Sequence, residues 1–521
     1  MDQSEILQAM GQPDFYPEHP NQVDVIETHI STLFLTDRFV YKVKKPVNFG
    51  FLDFTSLTAR KFFCEQEIFL NQRLSSDVYL EVSPIYHDGD GFTLDPEGRI
   101  AEYAVKMRRL PEERMMINLF KKGKINEEAI REIALHLIGF HSRARTDPEI
   151  SIYGAASRIS KNTEENFMQT QPFLGSTLSQ KQYDRICGYT RAFMRRHKSL
   201  FQKRISDKKI RDCHGDIRME HICIQDQIVV FDCVEFNRRF RYSDVAADIA
   251  FLAMDLDFHK APHLSRYLIQ TYVDYTHDVD LLKLIRFYKC YRAYIRGKVE
   301  SFKGSDNSLT PQERDQAQSL ARKYFELSAS YTHIKPYLVI TSGLTGTGKS
   351  KLAEALSRDL DTALFQSDRI RKEIAGVPPG EHRFVPFGHG IYSKEVSRKT
   401  YKALVSRAEA ALQQGRPVIL DATYLREEER QEAQNLADQL GVLFFIIEVI
   451  CPEEEVKERL FNRLREVGGL SDGRWEIYLS QKQTQDPITG APTDRHFVLN
   501  TSSKEDLIHE IEKKILIEVE T

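Results

Sequence analysis

Tyr337-Leu338-Val339-Ile340-Thr341, followed closely by Gly343-Leu344-Thr345-Gly346-Thr347-Gly348-Lys349-Ser350, decides how the chain is read. The first five residues suit a short buried strand, and Pro336 ahead of them stops any helix arriving from upstream. In the octet, glycines let backbone N–H groups turn toward an anion, and a helix opening at Lys349 adds the positive end of its dipole. Strand, G-x-x-x-x-G-K-S and helix together read as a phosphate-binding loop. Lys349 is expected to reach the β- and γ-phosphates of a nucleotide and Ser350 to ligate Mg2+. Gly343, Leu344, Thr345, Gly346, Thr347 and Gly348 are expected to line the phosphates with them.

Downstream the pattern alternates. Strands are expected at Ala363-Leu364-Phe365, Val418-Ile419-Leu420, Leu443-Phe444-Phe445-Ile446-Ile447 and Phe497-Val498-Leu499, with helices between them. Alternation of this kind implies right-handed crossovers and a parallel sheet flanked by helices, an α/β P-loop NTPase domain over residues 337–521. Open parallel sheets bind ligands beyond the carboxyl ends of their strands, which is where Asp368 and Asp421 stand. Asp421 follows an apolar triplet and is placed to hold Mg2+ through water. Asp368, in Gln366-Ser367-Asp368-Arg369, is placed to accept a proton from an acceptor hydroxyl. Helix N-capping is the structural alternative for either residue.

The loop, Ser367-Asp368-Arg369-Ile370-Arg371-Lys372, Leu420-Asp421-Ala422-Thr423 and a helix bearing Arg459 and Arg463 carry a resemblance. The domain resembles the small-molecule and polynucleotide kinases of the P-loop class, a group that includes polynucleotide 5′-kinase and zeta-toxin relatives. The resemblance implies a basic lid helix in which Arg459 and Arg463 stabilise transition-state charge. The interleaved Glu454, Glu455, Glu458 and Glu466 fit a solvated helix face equally well. Phe387-Gly388-His389-Gly390-Ile391-Tyr392 is expected in an acceptor pocket, and Arg369, Arg371 and Lys372 favour an acidic or phosphorylated acceptor.

Upstream, residues 303–336 read as a linker. Lys303-Gly304-Ser305-Asp306-Asn307-Ser308 is turn-rich, and Thr310-Pro311-Gln312-Glu313 is a capping box that opens a connecting helix. Before it, residues 1–302 place strands first and helices later, an α+β order. Val25 to Val47 reads as two strands, Ala59 to Leu74 as a helix and Arg99 to Met107 as a strand. Ile130, Ile133, Leu137 and Ile138 then mark one helix face.

The chemistry of this half is concentrated in His214-Gly215-Asp216 and in Asp232, joined by a hairpin of Ile222-Cys223-Ile224 and Ile228-Val229-Val230-Phe231. Two carboxylates so joined can converge on one nucleotide, one taking the acceptor proton and the other holding Mg2+. These residues resemble the aminoglycoside phosphotransferase and choline-kinase branch of kinase-like enzymes, which implies a bilobal protein-kinase-like fold. By that resemblance Asp216 is the catalytic base and Asp232 the metal ligand. Lys42, in Val40-Tyr41-Lys42-Val43, is the phosphate-binding lysine and Glu67 its ion-pair partner. Alternation along the strand puts Lys44 on the same face as Lys42. Two departures stand out. His221 occupies the place of the family's second metal ligand, an asparagine, and imidazole is a poorer Mg2+ ligand than an amide oxygen. His29-Ile30-Ser31-Thr32 stands where a glycine-rich loop would be. Asp244 and Asp248 are expected to brace the catalytic loop.

The chain has 521 residues, 41% hydrophobic and 29% charged, enough for two cores of ordinary globular composition. A net charge of -3 provides no global attraction for nucleic acid or anionic membrane. Seven scattered cysteines make no disulfide framework, and Met1-Asp2-Gln3-Ser4-Glu5 does not open a secretory signal, so a cytoplasmic protein is expected. The whole reads as a double kinase that uses ATP and Mg2+ to phosphorylate hydroxyls of small polar acceptors. A nucleic-acid acceptor is compatible only with the C-terminal domain, as a polynucleotide 5′-hydroxyl kinase. A further alternative makes the N-terminal domain a nucleotide sensor that regulates a P-loop kinase or ATPase.

Overall fold

The computed structural model describes residues 3–378, 390–463, 474–502 and 507–519, apart from 51, 90, 334, 490, 491 and 493. It divides into two units, Met1–Thr332 and His333–Thr521.

Alternation along β3 organises the start of the first unit. Strands β1 (Asp24–Glu27), β2 (Ser31–Leu35), β3 (Phe39–Lys44), β4 (Tyr79–His87), β5 (Phe92–Thr93) and β6 (Arg99–Arg108) form an antiparallel sheet in the order β1-β2-β3-β6-β4-β5. Tyr41 and Val43 point to one face, where Ile6 and Met10 of the helix Gln3–Met10 cover them. Val40 points to the other, against Cys64 of the helix Leu57–Asn71. A period of two therefore aims Lys42 and Lys44 at the helix that carries Glu67.

The remainder of this unit is largely helical, with two small ribbons. One pairs β7 (Ile210–Asp212) with β10 (Tyr242–Asp244), and the other pairs β8 (Ile222–Ile224) with β9 (Ile228–Val230). The helix Val245–Phe258 is buried continuously from Val245 to Leu256, so it is a core element without a solvent face. The capping box at Thr310 forms as expected: the Glu313 N–H donates to Thr310 Oγ1 at 3.3 Å and the Thr310 N–H donates to Glu313 Oε2 at 2.9 Å. The helix it opens, Pro311–Ser330, is no free connector. Its Ala321, Tyr324, Phe325 and Ala329 pack with Phe251, Met254 and Tyr294 in one core. Gly297 makes room for this, since a Cβ there would stand 2.8 Å from the Phe325 ring. The break between units accordingly falls after Thr332, not at the start of a linker.

In the second unit β11 (Tyr337–Ser342), β12 (Ala363–Gln366), β13 (Val418–Asp421), β14 (Leu443–Ile450) and β15 (His496–Asn500) make a parallel sheet in the order β12-β13-β11-β14-β15. Every residue of β11 is buried because both faces are covered. Leu338 and Ile340 face Leu404, Ala408, Ala433 and Leu436 of the helices Lys394–Gln413 and Glu427–Leu440. Tyr337 and Val339 face Leu352 and Leu356 of the helix Lys349–Asp359, with Ile511 and Ile515 of the helix Leu507–Val519. Each such aliphatic side chain contributes about 1.5–3 kcal/mol by leaving water. Among the described residues no helix is long and apolar enough to cross a membrane.

Candidate functional site

β11 runs directly into the glycine loop. Gly343 has φ +138°, and a Cβ there would lie 2.3 Å from the Val449 carbonyl, so only glycine lets the loop pass β14. Its N–H donates to the Thr423 carbonyl at 3.0 Å. Gly348, at φ +99°, turns the chain into the helix Lys349–Asp359. The Lys349 ammonium lies within the loop and donates to the Leu344 carbonyl at 2.7 Å.

Asp421 ends β13 in register with Gln366 at the end of β12, and Gln366 Nε2 donates to it at 3.3 Å. Burial raises the Asp421 carboxyl, Ser350 and Lys349 oppose that rise, and Asp368 adds to it. These influences place Asp421, Ser350, Lys349 and Asp368 together beyond the strand ends. The oxygens of Ser350 and Asp421 fit a small hard cation such as Mg2+. Asp368 is half-buried on the first turn of the helix Ser367–Ile374.

Two helices, Glu453–Arg463 and Trp475–Thr484, cover the loop. Val456 and Leu460 close on Gly346, and the Thr345 N–H donates to Gln481 Oε1 at 2.8 Å. Arg459 donates to Thr501 Oγ1 at 2.8 Å and to the Thr501 carbonyl at 2.9 Å, while Thr501 Oγ1 donates to the Thr347 carbonyl at 2.7 Å. Arg459 is thus tied to the loop and also paired with Glu455 at 3.1 Å. Gln481 and Thr501 escaped the sequence reading because neither belongs to a local motif. The Arg463 side chain and Phe387, Gly388 and His389 lie outside the described residues. Of the three cations expected to attract an acidic acceptor, Arg369 is exposed beside Glu373, 3.6 Å away. Arg371 braces the fold, donating to the Ile391 carbonyl at 3.2 Å and Ser397 Oγ at 2.9 Å. The Lys372 ammonium is buried and has no hydrogen-bond partner among the described residues.

In the first unit the helix Leu57–Asn71, β3 and the segment after β9 bring a charged cluster together. Lys42 Nζ lies 2.8 Å from Glu67 and 2.7 Å from Asp232. Lys44, fully buried, lies 2.6 Å from the other oxygen of Glu67 and also pairs with Glu235. Burial works against the Glu67 carboxylate, but Lys42 and then Lys44 outweigh it and hold the group below its ordinary value. Burial instead keeps the Glu235 carboxyl raised despite Lys44. Three carboxylates and two ammonium groups sum to -1 (-3 + 2) when all are ionised, a charge that suits a bound cation. Glu235 and Lys44 were not anticipated as partners, although Lys-Val-Lys on one strand face signals two buried cations.

The His214-Gly215-Asp216 loop is held from behind by Asp248, which accepts the His214 and Gly215 N–H groups, each at 2.8 Å. His141 Nε2, 3.3 Å away, helps hold the Asp248 carboxyl down at about 2 against its burial. This is the bracing role expected of Asp248, and Cys213 and His141 belong to that brace. Gly215 has φ +90°, with the Phe240 carbonyl 2.9 Å from where a Cβ would stand. Asp232 adopts φ +63°, a strained conformation for a residue other than glycine, and its N–H donates to Tyr79 Oη at 3.1 Å.

Between the two carboxylates stands His221, 3.6 Å from Asp216 and 3.6 Å from Asp232. Its expected role as a metal ligand meets an obstacle. Nδ1 faces the Asp216 carbonyl at 2.8 Å and so carries a proton, leaving Nε2 to accept from Arg218 Nη2 at 3.2 Å. The ring therefore spaces the two aspartates with both nitrogens engaged. Asp216 accepts from Arg218 at 3.0 and 3.2 Å. Burial opposes its ionisation, yet the Arg218 guanidinium holds the carboxyl far below the usual range. Where a glycine-rich loop would lie, the hairpin between β1 and β2 turns through Thr28-His29-Ile30-Ser31, closed by the Thr28 N–H on the Ser31 carbonyl at 2.8 Å.

The family model described as AAA domain matches residues 338–487. Uncharacterized proteins of Mycobacterium tuberculosis and Mycobacterium bovis are each 29% identical over 459 residues, covering 87% of this chain and 88% of the relative. Solved structures similar to part of the chain include a gluconokinase from Sinorhizobium meliloti, with TM-score 0.25 and 16% identity over 35% of this chain and 93% of that one. The APS kinase CysC of Mycobacterium tuberculosis gives TM-score 0.26 and 19% identity over 35% and 98%. Both likenesses are too slight to bear on substrate. The matched residues include the glycine loop, Asp368, Asp421 and Arg459, so the second unit is similar to an AAA domain across its candidate site.

Proposed function

We propose that the chain is a bifunctional ATP-dependent phosphotransferase in which each unit moves the γ-phosphate of ATP to a hydroxyl of a small polar acceptor. For the first unit one observation carries the reading: Lys42, Glu67, Asp216 and Asp232 converge although they come from four separate segments. That constellation is aminoglycoside-phosphotransferase-like. Lys42, fixed by Glu67, meets phosphate oxygens. Asp232 would hold Mg2+, which when bound neutralises charge on the phosphates. Asp216 orients the acceptor hydroxyl. The acceptor oxygen bonds to the γ-phosphorus as the bond from that phosphorus to the β–γ bridging oxygen breaks, the hydroxyl proton passes toward Asp216, and ADP leaves. A carboxylate this acidic is a weak base, which suits a loose transition state that asks more for positioning than for proton abstraction.

In the second unit Lys349 and the loop N–H groups receive the phosphates, and Ser350 and Asp421 would hold Mg2+. Asp368 faces the acceptor, and Arg459 reaches the loop. A second reading is favoured by the grip of Arg218 on both oxygens of Asp216: a first unit that binds nucleotide without transferring it and regulates the second.

Transfer of label from γ-labelled ATP to a pooled panel of metabolites and oligonucleotides tests both readings, using wild type, Lys349→Ala and Asp216→Asn. Two labelled products, each lost in a different variant, are expected. If only Lys349→Ala matters, the first unit is a sensor. Product confined to oligonucleotides would make the second unit a polynucleotide kinase.

A further inference from the structure

The left-handed backbone of Asp232, at φ +63°, is disfavoured for a residue with a Cβ and persists only where its surroundings over-determine it. Here three successive N–H groups each meet an acceptor from another segment. The Asp232 N–H donates to Tyr79 Oη at 3.1 Å, the Cys233 N–H to Asn71 Oδ1 at 2.8 Å and the Val234 N–H to the His214 carbonyl at 3.1 Å. The first two acceptors are side chains, from β4 and from the helix Leu57–Asn71, and both are buried: Tyr79 is 1% exposed and Asn71 0%.

Each of these side chains is itself fixed. Asn71 stands one helical turn after Glu67, and its Nδ2 donates to the Glu67 carbonyl at 2.8 Å. The Tyr79 ring packs with Val40, Cys64, Val105 and Met107, and its carbonyl accepts from Gln72 Nε2 at 2.9 Å. The helix that presents Glu67 to Lys42 therefore also grips the backbone beside Asp232. With that backbone pinned, the carboxylate stands 2.7 Å from Lys42 and 3.6 Å from His221. Because 41% of the Asp232 side chain is exposed, packing alone does not hold it there. Relaxing into the right-handed or extended region would swing the Cα–Cβ bond and carry the carboxylate away from both neighbours.

We propose that Tyr79 and Asn71 are positioning residues that hold Asp232 in its left-handed conformation and thereby set the affinity of the first unit for its divalent cation. The proposal rests on the reading of Asp232 as the residue that would hold Mg2+. Neither Tyr79 nor Asn71 touches the ion or the nucleotide in this account. Both act through the backbone of the ligand, as groups behind a metal ligand do when they fix its direction.

The test uses the full chain carrying Lys349→Ala and Ser350→Ala, which removes cation contacts of the second unit. Mn2+ binding is followed by electron paramagnetic resonance with the non-hydrolysable β,γ-methylene analogue of ATP present. Asp232→Asn in this background gives the binding that does not depend on the carboxylate. Tyr79→Phe, which keeps the ring, and Asn71→Ala should each weaken the Asp232-dependent binding by about tenfold or more. Gln72→Ala, which loses a hydrogen bond to Tyr79 but none to the turn, should leave it within about twofold. Transfer slowed by Tyr79→Phe should also return at high Mg2+, as a weakened ion site requires and a misfolded one does not allow. Mn2+ affinity within about twofold of the parent chain for either Tyr79→Phe or Asn71→Ala, or an equal loss in Gln72→Ala, overturns the proposal. If Asp232→Asn binds Mn2+ as tightly as its parent, the reading of Asp232 as a metal ligand fails, and the hold on the turn is judged by hydrogen exchange. Tyr79→Phe should then speed exchange of the Asp232 amide, and Asn71→Ala that of Cys233, by about tenfold or more, and unchanged exchange refutes the hold.

Discussion

Lys42 and Lys44 sit two residues apart on one strand face, yet their removal should have opposite consequences. Lys44 is fully buried, Glu67 and Glu235 are its partners, and Glu235 has 5% side-chain exposure. In Lys44→Met, Glu67 keeps Lys42 at 2.8 Å, so Glu235 is the carboxylate left without its near cation. Breaking a buried ion pair from one side costs about 3–5 kcal/mol, and because only one acid is stranded the lower end, about 3 kcal/mol, is expected. At roughly 2–4 °C per kcal/mol, the first unit should melt about 6–12 °C earlier. Calorimetry of the whole chain measures the shift, and hydrogen exchange along β3 assigns it to this unit. Glu235→Gln added to Lys44→Met should recover much of the loss by removing the unpaired charge. Lys42→Met differs, since its second partner Asp232 has 41% side-chain exposure and can turn to water. It should lose about 1 kcal/mol or less and instead abolish transfer by the first unit. A Lys44→Met transition within about 2 °C of wild type, or a double variant no more stable than the single, would refute this account of the cluster.

Gly343→Ala places a Cβ 2.3 Å from a backbone carbonyl at φ +138° and should cost at least about 2 kcal/mol and abolish ATP binding by the second unit, whereas Gly441→Ala, with open space around it, should cost about 1 kcal/mol and leave binding intact. Equal ATP affinity in both variants, read by isothermal titration, would mean that the loop does not hold phosphate. Thr501→Val removes the hydroxyl that links Arg459 to the Thr347 carbonyl and should raise KM for ATP about tenfold in the reaction lost with Lys349→Ala. Burial pushes His214 down to about 4, so between its unfolded value near 6.5 and that folded value the unfolded chain binds more protons. The first unit should therefore be most stable above about pH 6.5 and lose on the order of 2–3 kcal/mol as pH falls to about 4, and a flat melting profile over that window would contradict the burial of the ring.

What the sequence could disclose followed from how far each signal reaches along the chain. The glycine loop and the five strands of the second unit are local: a few residues of fixed type and period, with covering helices whose own spacing agrees. The capping box at Thr310 was equally local and correctly placed a helix start. It said nothing of where that helix would pack, because Phe325 finds its site on Gly297, a residue of another helix. The same limit governs the sites. The aspartates are legible because a short hairpin joins them. The companions of those aspartates are set by tertiary packing: Arg218 on Asp216, Glu235 on Lys44, and Gln481 on Thr345. His221 shows the limit most sharply. Its position in the sequence suggests a ligand, but only the carbonyl on one ring nitrogen and the guanidinium on the other reveal that its lone pair is already engaged. Substituting it with asparagine would free that place for an oxygen donor. If His221→Asn speeds transfer by the first unit and lowers its Mg2+ requirement, the imidazole is a brake on an otherwise complete site. Unchanged rates at every Mg2+ concentration would make it a spacer alone.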